Sequence, residues 1–277
     1  MNQSTDFFAD LALARRLEGA DAAAGAACAI NHARFYPEAG SAALEVAGGS
    51  AAFTGVDSPV TQAFALGLHG EVTADEMERL EEFYRSRGAA VNIEVCPLAD
   101  ASLVRLLGER GYRPLEFSNV QVRSLSEADQ PPALPAGLVL RRAAAEEAGL
   151  WARTVGRGFI EEGELPPGLE QIMTAMAHDA AIICLFAELD GEIAGGGSMR
   201  LHQGVIGLSG ASTLPRFRRR GIQSALVATR LAMAAAAGCE LAMVTTLPGS
   251  TSQRNMERRG FRVVYTRCKF LREWPSA

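Results

Sequence analysis

Lysine is almost missing from this chain: Lys269 stands alone against 26 arginines. Long apolar runs are missing too, and none approaches the ~18 residues needed to cross a bilayer. That excludes an integral membrane protein with helical spans. The N-terminal stretch lacks a secretory core, because Asp6, Asp10, Arg15, Arg16 and Glu18 interrupt it. Cysteine offers neither a disulfide framework nor a zinc site. Its five copies (Cys28, Cys96, Cys184, Cys239 and Cys268) are odd in number, scattered, and set mostly in apolar strand-like contexts. Reduced thiols in the cytoplasm and no bound metal are the expectation. A surplus of positive charge is likewise lacking. The net charge is −5, which argues against nucleic acid as the main partner.

What is present suits a folded chain. Hydrophobic residues make up 48% and charged residues 21% of 277 positions, enough for one large domain or two modest ones. Charge divides unevenly. Residues 1–130 carry 19 acidic and 10 basic side chains, whereas residues 131–277 carry 13 and 17. An anionic ligand is therefore expected on the C-terminal half.

Between the halves, Ser124 to Ala136 reads as a linker, with Pro131, Pro132 and Pro135 close together. On each side of it the chain closes with the same grammar. In the first half, strand Val91–Val95 precedes a helix from Asp100 to Arg110, then Gly111-Tyr-Arg and a final strand. In the second, strand Leu241–Thr245 precedes a helix from about Thr251 to Arg259, then Gly260-Phe-Arg and a final strand. Glycine is the usual left-handed stop of a helix, and the aromatic beyond it folds back on the last turn. Two such endings at matching positions indicate an internal repeat. The expected division is residues 1–125, a linker over 126–136, and residues 137–277.

The upstream parts correspond as well. Thr73 and Glu76 form a capping box opening a helix to Arg87. Its counterpart runs from Gly221 to Ala237, with Ile222, Ala225, Leu226, Thr229 and Met233 on one face. The two helix starts differ chemically. The second follows Thr213-Leu-Pro-Arg-Phe-Arg-Arg-Arg-Gly, a strand end and an arginine-rich turn. The first amides of a helix lack partners and carry the positive end of its dipole, so this turn is suited to phosphate. The first-half helix follows His69-Gly-Glu-Val, where Glu71 repels an anion. A bare cluster of exposed arginines is the plainer alternative for the turn; a glycine-started helix after a strand favours phosphate.

The rest of the second half predicts strand 138–142, helix 144–157, helix 169–177, a hairpin of 181–188 and 193–201 around Asp190-Gly191, and strand 205–213. That order, β-α-α-β-β-β-α-β-α-β, gives an α/β class with a mixed sheet flanked by helices. No Gly-x-Gly-x-x-Gly follows a first strand, which sets aside a Rossmann-type nucleotide binder.

The second half resembles the GNAT superfamily of N-acetyltransferases, and the whole chain resembles its tandem members, with a degenerate first copy. The family's Arg/Gln-x-x-Gly-x-Gly/Ala signature is matched by Arg218-Arg219-Arg220-Gly221-Ile222-Gln223. The opening arginine and central glycine agree; Arg219 replaces a common glycine and Gln223 the final small residue. The resemblance implies acetyl-CoA as co-substrate. Backbone groups of Ala211, Ser212 and Thr213 would pair with the pantetheine arm, and amides from Arg219 through Ser224 would hold the diphosphate. The thioester would sit near Thr213 and Thr245. Ser252 takes the place where the family often has an asparagine touching CoA. The family's usual acid, a tyrosine four residues before the glycine, is here Met256, so no catalytic residue is assigned.

The activity implied is transfer of an acetyl group to the amine of a small molecule. A non-catalytic acyl-CoA sensor and an enzyme acting on a peptide amine are the alternatives. A homodimer is left open, and the arginine bias reads as that of a GC-rich bacterial genome. Among other residues, Tyr265 is expected to pack in the sheet, His202 to lie exposed in a turn, and His178 to end a helix. Glu161, Glu162 and Glu164 form a loop that either borders the acceptor or is merely solvated. The run Gly195-Gly-Gly197 admits a ligand's close approach or marks a bulge, with the first preferred.

Overall fold

The structure, a computed structural model, describes residues 7–160 and 165–274. In chain order the elements are α1 (Leu11–Phe35), β1 (Ala42–Val46), β2 (Gly49–Phe53), β3 (Gln62–Phe64), α2 (Ala74–Arg85), β4 (Val91–Val95), α3 (Ala101–Glu109) and β5 (Arg113–Ser124). Then follow β6 (Leu138–Arg142), α4 (Ala148–Phe159), α5 (Pro167–Ala177), β7 (Ile182–Leu189), β8 (Glu192–His202), β9 (Val205–Thr213), α6 (Ile222–Ala236), β10 (Leu241–Thr246), α7 (Thr251–Glu257) and β11 (Arg262–Arg272). The second-half order agrees with the expectation element by element. No described helix is long and apolar enough to cross a membrane.

Two compact units emerge. One joins the residues up to Arg123 with those from Met243 onward; the other spans Ser124–Ala242. This division differs from the linear one read from the repeat, because β11 does not stay with the strands that precede it. It lies between β4 and β5, antiparallel to both, with Cys268 opposite Val95 on one side and Phe117 on the other. The Glu161, Glu162 and Glu164 loop lies outside the described residues.

In the first unit, β1, β2 and β3 form an antiparallel meander, and β3 pairs parallel with β4 through Ala63 and Ile93. Helix α1, capped by the Asp10 carboxylate on Leu13 N at 2.8 Å, packs against β1, β2 and β3. Its alanine-rich inner face lets it come close: a Cβ added at Gly25 would stand 3.6 Å from that of Ala52. The core beneath α2 and α3 gathers Met77, Leu80, Tyr84, Leu103 and Leu107 with Val91 and Ile93.

The repeated ending is real at atomic level. Gly111 and Gly260 take φ values of 75° and 86°. Beyond them, Tyr112 N donates to Leu107 O and Phe261 N to Met256 O, at 2.9 and 3.2 Å. Both aromatic side chains are buried, so each helix is closed by the same six-to-one bond and hydrophobic clasp.

In the second unit β6 to β9 form an antiparallel sheet. Strand alternation sends Leu185, Ala187 and Leu189 of β7 to the face covered by α6, and Cys184 and Phe186 to the face with Trp151 and Val155 of α4. Asp190 and Gly191 (φ 53° and 84°) turn the first hairpin, and Gln203 and Gly204 (φ 45° and 76°) the second. Paired left-handed residues match the twist of the flanking strands.

Candidate acyl-CoA site

The turn between β9 and α6 is built from the inside outward. Pro215–Phe217 forms one 3-10 turn, and the Phe217 ring buries itself in the core with Leu138, Ile222 and Leu226. That anchor fixes the chain while the arginines around it stay exposed. Arg216 pairs with Glu192 at 2.7 Å, and Arg216 and Arg220 lie over the Phe217 ring. Arg218, exposed as well, folds back on the chain. Its guanidinium donates to Thr213 O at 3.4 Å and to Gly158 O at 3.2 Å, tying the turn to the end of β9 and to α4.

Backbone handedness then aims the amides. Arg219 holds φ at 64° and Gly221 at 79°, both left-handed. So the position where the family often carries glycine keeps a glycine-like backbone although its side chain is an arginine. Gly221 caps α6 without any side-chain hydrogen bond. Among the described residues, no backbone carbonyl accepts from the amides of Arg219, Arg220, Gly221, Ile222 or Gln223, and the first helical bond is Ala225 N to Gly221 O at 3.0 Å. Unspent donors, the helix dipole and exposed arginines thus coincide at one place. A nest of successive amides of this kind holds an anion.

The first-half counterpart is closed by its own side chains. Thr73 N donates to Glu76 Oε2 at 2.8 Å, and Glu76 N to Thr73 Oγ1 at 3.2 Å. Glu71 is exposed there, 4.0 Å from Arg105. The start of α2 therefore satisfies itself, and its surroundings repel phosphate.

The end of β9 is shaped by a bulge. Gly196 pairs with Ser212 and Ser198 with Ser209, so Gly197 alone faces both Gly210 and Ala211. Gly210 accommodates the extra residue with a φ of 51°. Past the bulge, Ser212 Oγ donates to Val155 O at 2.7 Å. The Thr213 hydroxyl is buried with no partner among the described residues.

The glycine run serves the protein itself. A Cβ at Gly195 would stand 2.4 Å from Ser212 O, one at Gly196 2.6 Å from Leu185 O, and one at Gly197 3.2 Å from Arg230 Cζ. The preferred ligand-approach reading is therefore replaced by the other: the run marks a bulge, packed by neighbouring strands and by α6. Sequence reading missed Arg230 altogether. The expected face of α6 included Thr229 and Met233, which are half-buried, while Arg230 is buried. The signal was its isolation, as the one charged residue of the 15-residue helix.

The remaining residues fall as follows. Ser252 is exposed in α7, and Met256 is buried in the same helix at 4% exposure. Tyr265 is a buried sheet residue whose hydroxyl donates to Glu18 Oε1 at 2.8 Å. His202 is half-buried rather than exposed, and burial, helped by Arg200, lowers its pKa. His178 caps the C-terminus of α5. Among the described residues no group of three or more His, Cys, Asp or Glu side chains is placed to hold a metal ion.

Residues 151–261 match the family model described as the acetyltransferase (GNAT) family. No curated protein sequence matches. Among solved structures, the chain is similar to a GCN5-related N-acetyltransferase from Kribbella flavida (TM-score 0.62, 18% identity, 91% of this chain and 96% of that one). It is also similar to a tandem GNAT protein from the clavulanic acid biosynthesis pathway (TM-score 0.60, 15% identity, 91% and 89%). A conserved protein of unknown function from Staphylococcus epidermidis shares the fold as well (TM-score 0.54, 11% identity, 79% and 86%). Over residues 151–261 the chain thus matches the GNAT acetyltransferase family, and that match supports an acyltransferase.

Proposed function

We propose that the protein is an N-acetyltransferase that moves the acetyl group of acetyl-CoA to the amine of a small molecule. The observation that carries the reading is the start of α6: five successive amides without a described acceptor, presented by left-handed Arg219 and Gly221 beneath exposed arginines. In this reading the amides from Arg219 to Ser224 take the diphosphate, with Arg219 and Arg220 supplying charge. Ala211, Ser212 and Thr213 offer backbone to the pantetheine arm. The unpartnered Thr213 hydroxyl supports a polar ligand at that strand end. Ser252 is a proposed contact on the family resemblance alone.

Acetyl-CoA supplies an activated acyl group with a thiolate as leaving group. A thiolate is a weak base, so the methionine at position 256 does not stand against turnover. Much of the acceleration can come from holding donor and amine in line. The chain's share of the chemistry is then orientation by β9 and the turn.

A thermal-shift comparison of acetyl-CoA, CoA and dephospho-CoA tests the reading. Each should raise the melting temperature of the wild type as binding to the native state demands, and Gly221→Asp should abolish the shift. An equal shift in that variant means the ligand sits elsewhere. Thiol release over an amine panel then separates an enzyme from a binder: binding with no turnover on any small amine or peptide reverses the assignment in favour of an acyl-CoA sensor.

We also propose that the sequence modules 1–125 and 137–277, joined by 126–136, are two GNAT-like copies of which only the second binds acetyl-CoA. The matching helix endings and the self-capped start of α2 support this. A cytoplasmic location is proposed on the cysteine pattern. No metal, nucleic acid or membrane partner is invoked, and a homodimer is left to direct measurement.

A further inference from the structure

Arg230 is 1% exposed, and among the described residues no carboxylate pairs with it. Its Nε donates to Leu226 O, one turn back in α6, at 3.0 Å. Its Nη1 reaches across to Ser198 O at 2.7 Å and Ser209 O at 3.2 Å. Those two serines are partners in the β8–β9 ladder, and directly after them the register slips. A bulge disrupts the ladder where it inserts its extra residue, and a buried carbonyl needs a donor. The guanidinium provides one to each strand at the last regular pair before the slip. Lysine's single point charge cannot match that planar fork.

The surrounding residues make room for this arrangement. Gly197 has no side chain where Arg230 Cζ would be 3.2 Å away, and a Cβ on Gly210 would approach Ser198 Oγ to 2.9 Å and Trp151 to 3.3 Å. The bulge is thus held on one face by the arginine and on the other by the indole, whose Nε1 donates to Leu185 O at 3.2 Å. A burial this costly, without a counter-ion, is poor value as a stability device. Its geometric product is the path of Ala211, Ser212 and Thr213.

We infer that Arg230 is a positioning residue for the pantetheine arm of the acyl donor: it fixes the β9 bulge, and the bulge sets the direction of the three residues proposed to pair with that arm. This rests on the acetyl-CoA reading above. It separates two parts of one ligand, because Arg230 sits at the bulge and not at the phosphate-facing turn.

Calorimetric titration of the full chain with CoA and with adenosine 3′,5′-bisphosphate, which has no pantetheine, tests the inference. In Arg230→Met the dissociation constant for CoA should rise tenfold or more while that for the bisphosphate changes less than twofold. Arg230→Lys should fall between wild type and Arg230→Met, and it carries the test if the methionine variant does not fold. Unchanged CoA affinity in the variants, or equal weakening of both ligands, overturns the positioning role while leaving the donor assignment intact. Failure of the wild type to bind CoA at all sinks both.

Discussion

The Tyr265 hydroxyl donates to Glu18 Oε1 at 2.8 Å, joining residues 247 positions apart in the first unit. The same oxygen accepts from Arg267 Nε at 2.8 Å, and Arg267 Nη2 also donates to Asp21 at 2.6 Å. Burial works to raise the Glu18 carboxyl, with Arg267 pulling against it. The group is a buried charge network that ties α1 to β11.

Removing one member of such a network leaves the other charge stranded. Arg267→Met should destabilise the protein by about 3–5 kcal/mol, since it abandons a buried carboxylate. Tyr265→Phe should cost only about 1–2 kcal/mol, because Arg267 still satisfies that oxygen. Urea unfolding monitored by circular dichroism measures both. Equal losses for the two variants would contradict the network as drawn.

At the turn, Gly221 and Arg219 make opposite predictions. Gly221→Ala forces a side chain into a left-handed backbone, at a cost of about 1–2 kcal/mol, with its Cβ 3.3 Å from Pro135 Cγ. Arg219→Gly instead relieves the same kind of strain, so the melting temperature should hold or rise. Its CoA affinity should fall through lost charge alone, and its binding should depend less on salt. A fall in melting temperature for Arg219→Gly would contradict the left-handed assignment.

Glu147 gives a pH test. Hydrogen bonds from Arg141 and from Ala144 N pull its carboxyl down from the ordinary 4.5 to about 2. A carboxyl depressed in the folded state adds stability above its unfolded pKa and loses it as pH falls toward the folded one. The melting-temperature deficit of Glu147→Gln should therefore be full at pH 6 and shrink between pH 4.5 and 2. A deficit independent of pH would show that the ion pair contributes nothing.

Thiol labelling probes the cores separately. Burial pushes the Cys184 thiol up to about 12 and that of Cys96 up to about 11. The thiolate is the nucleophile, so iodoacetamide at neutral pH should leave both unmodified in the native protein. Cys268, only half-buried, should label first, as mass spectrometry of timed aliquots would show.

Much of this architecture was legible beforehand because it rests on local chemistry. Asp190-Gly191, Gly111 and Gly260 specify backbone conformations that only a few residues tolerate, so their turns and helix ends could be read directly. The arginine turn was legible for the same reason. Helix α1 was not, because alanines scattered through Leu11–Phe35 show little contrast between its faces. Nor was the placement of β11, since nothing in Arg262–Arg272 tells which of several strands it will pair with. Arg230 was hidden by the rule that charge belongs outside. Only the cross-strand geometry of Ser198 and Ser209 shows why it lies within.

The position of β11 between β4 and β5 has a consequence for biosynthesis. Residues 91–124 leave the ribosome well before Arg262–Arg272 is made, so the two flanking strands must wait with facing edges unpaired. Ordered vectorial maturation is denied to this half of the polypeptide. It closes only once Arg262–Arg272 has been made, and until then those edges are open to mispairing.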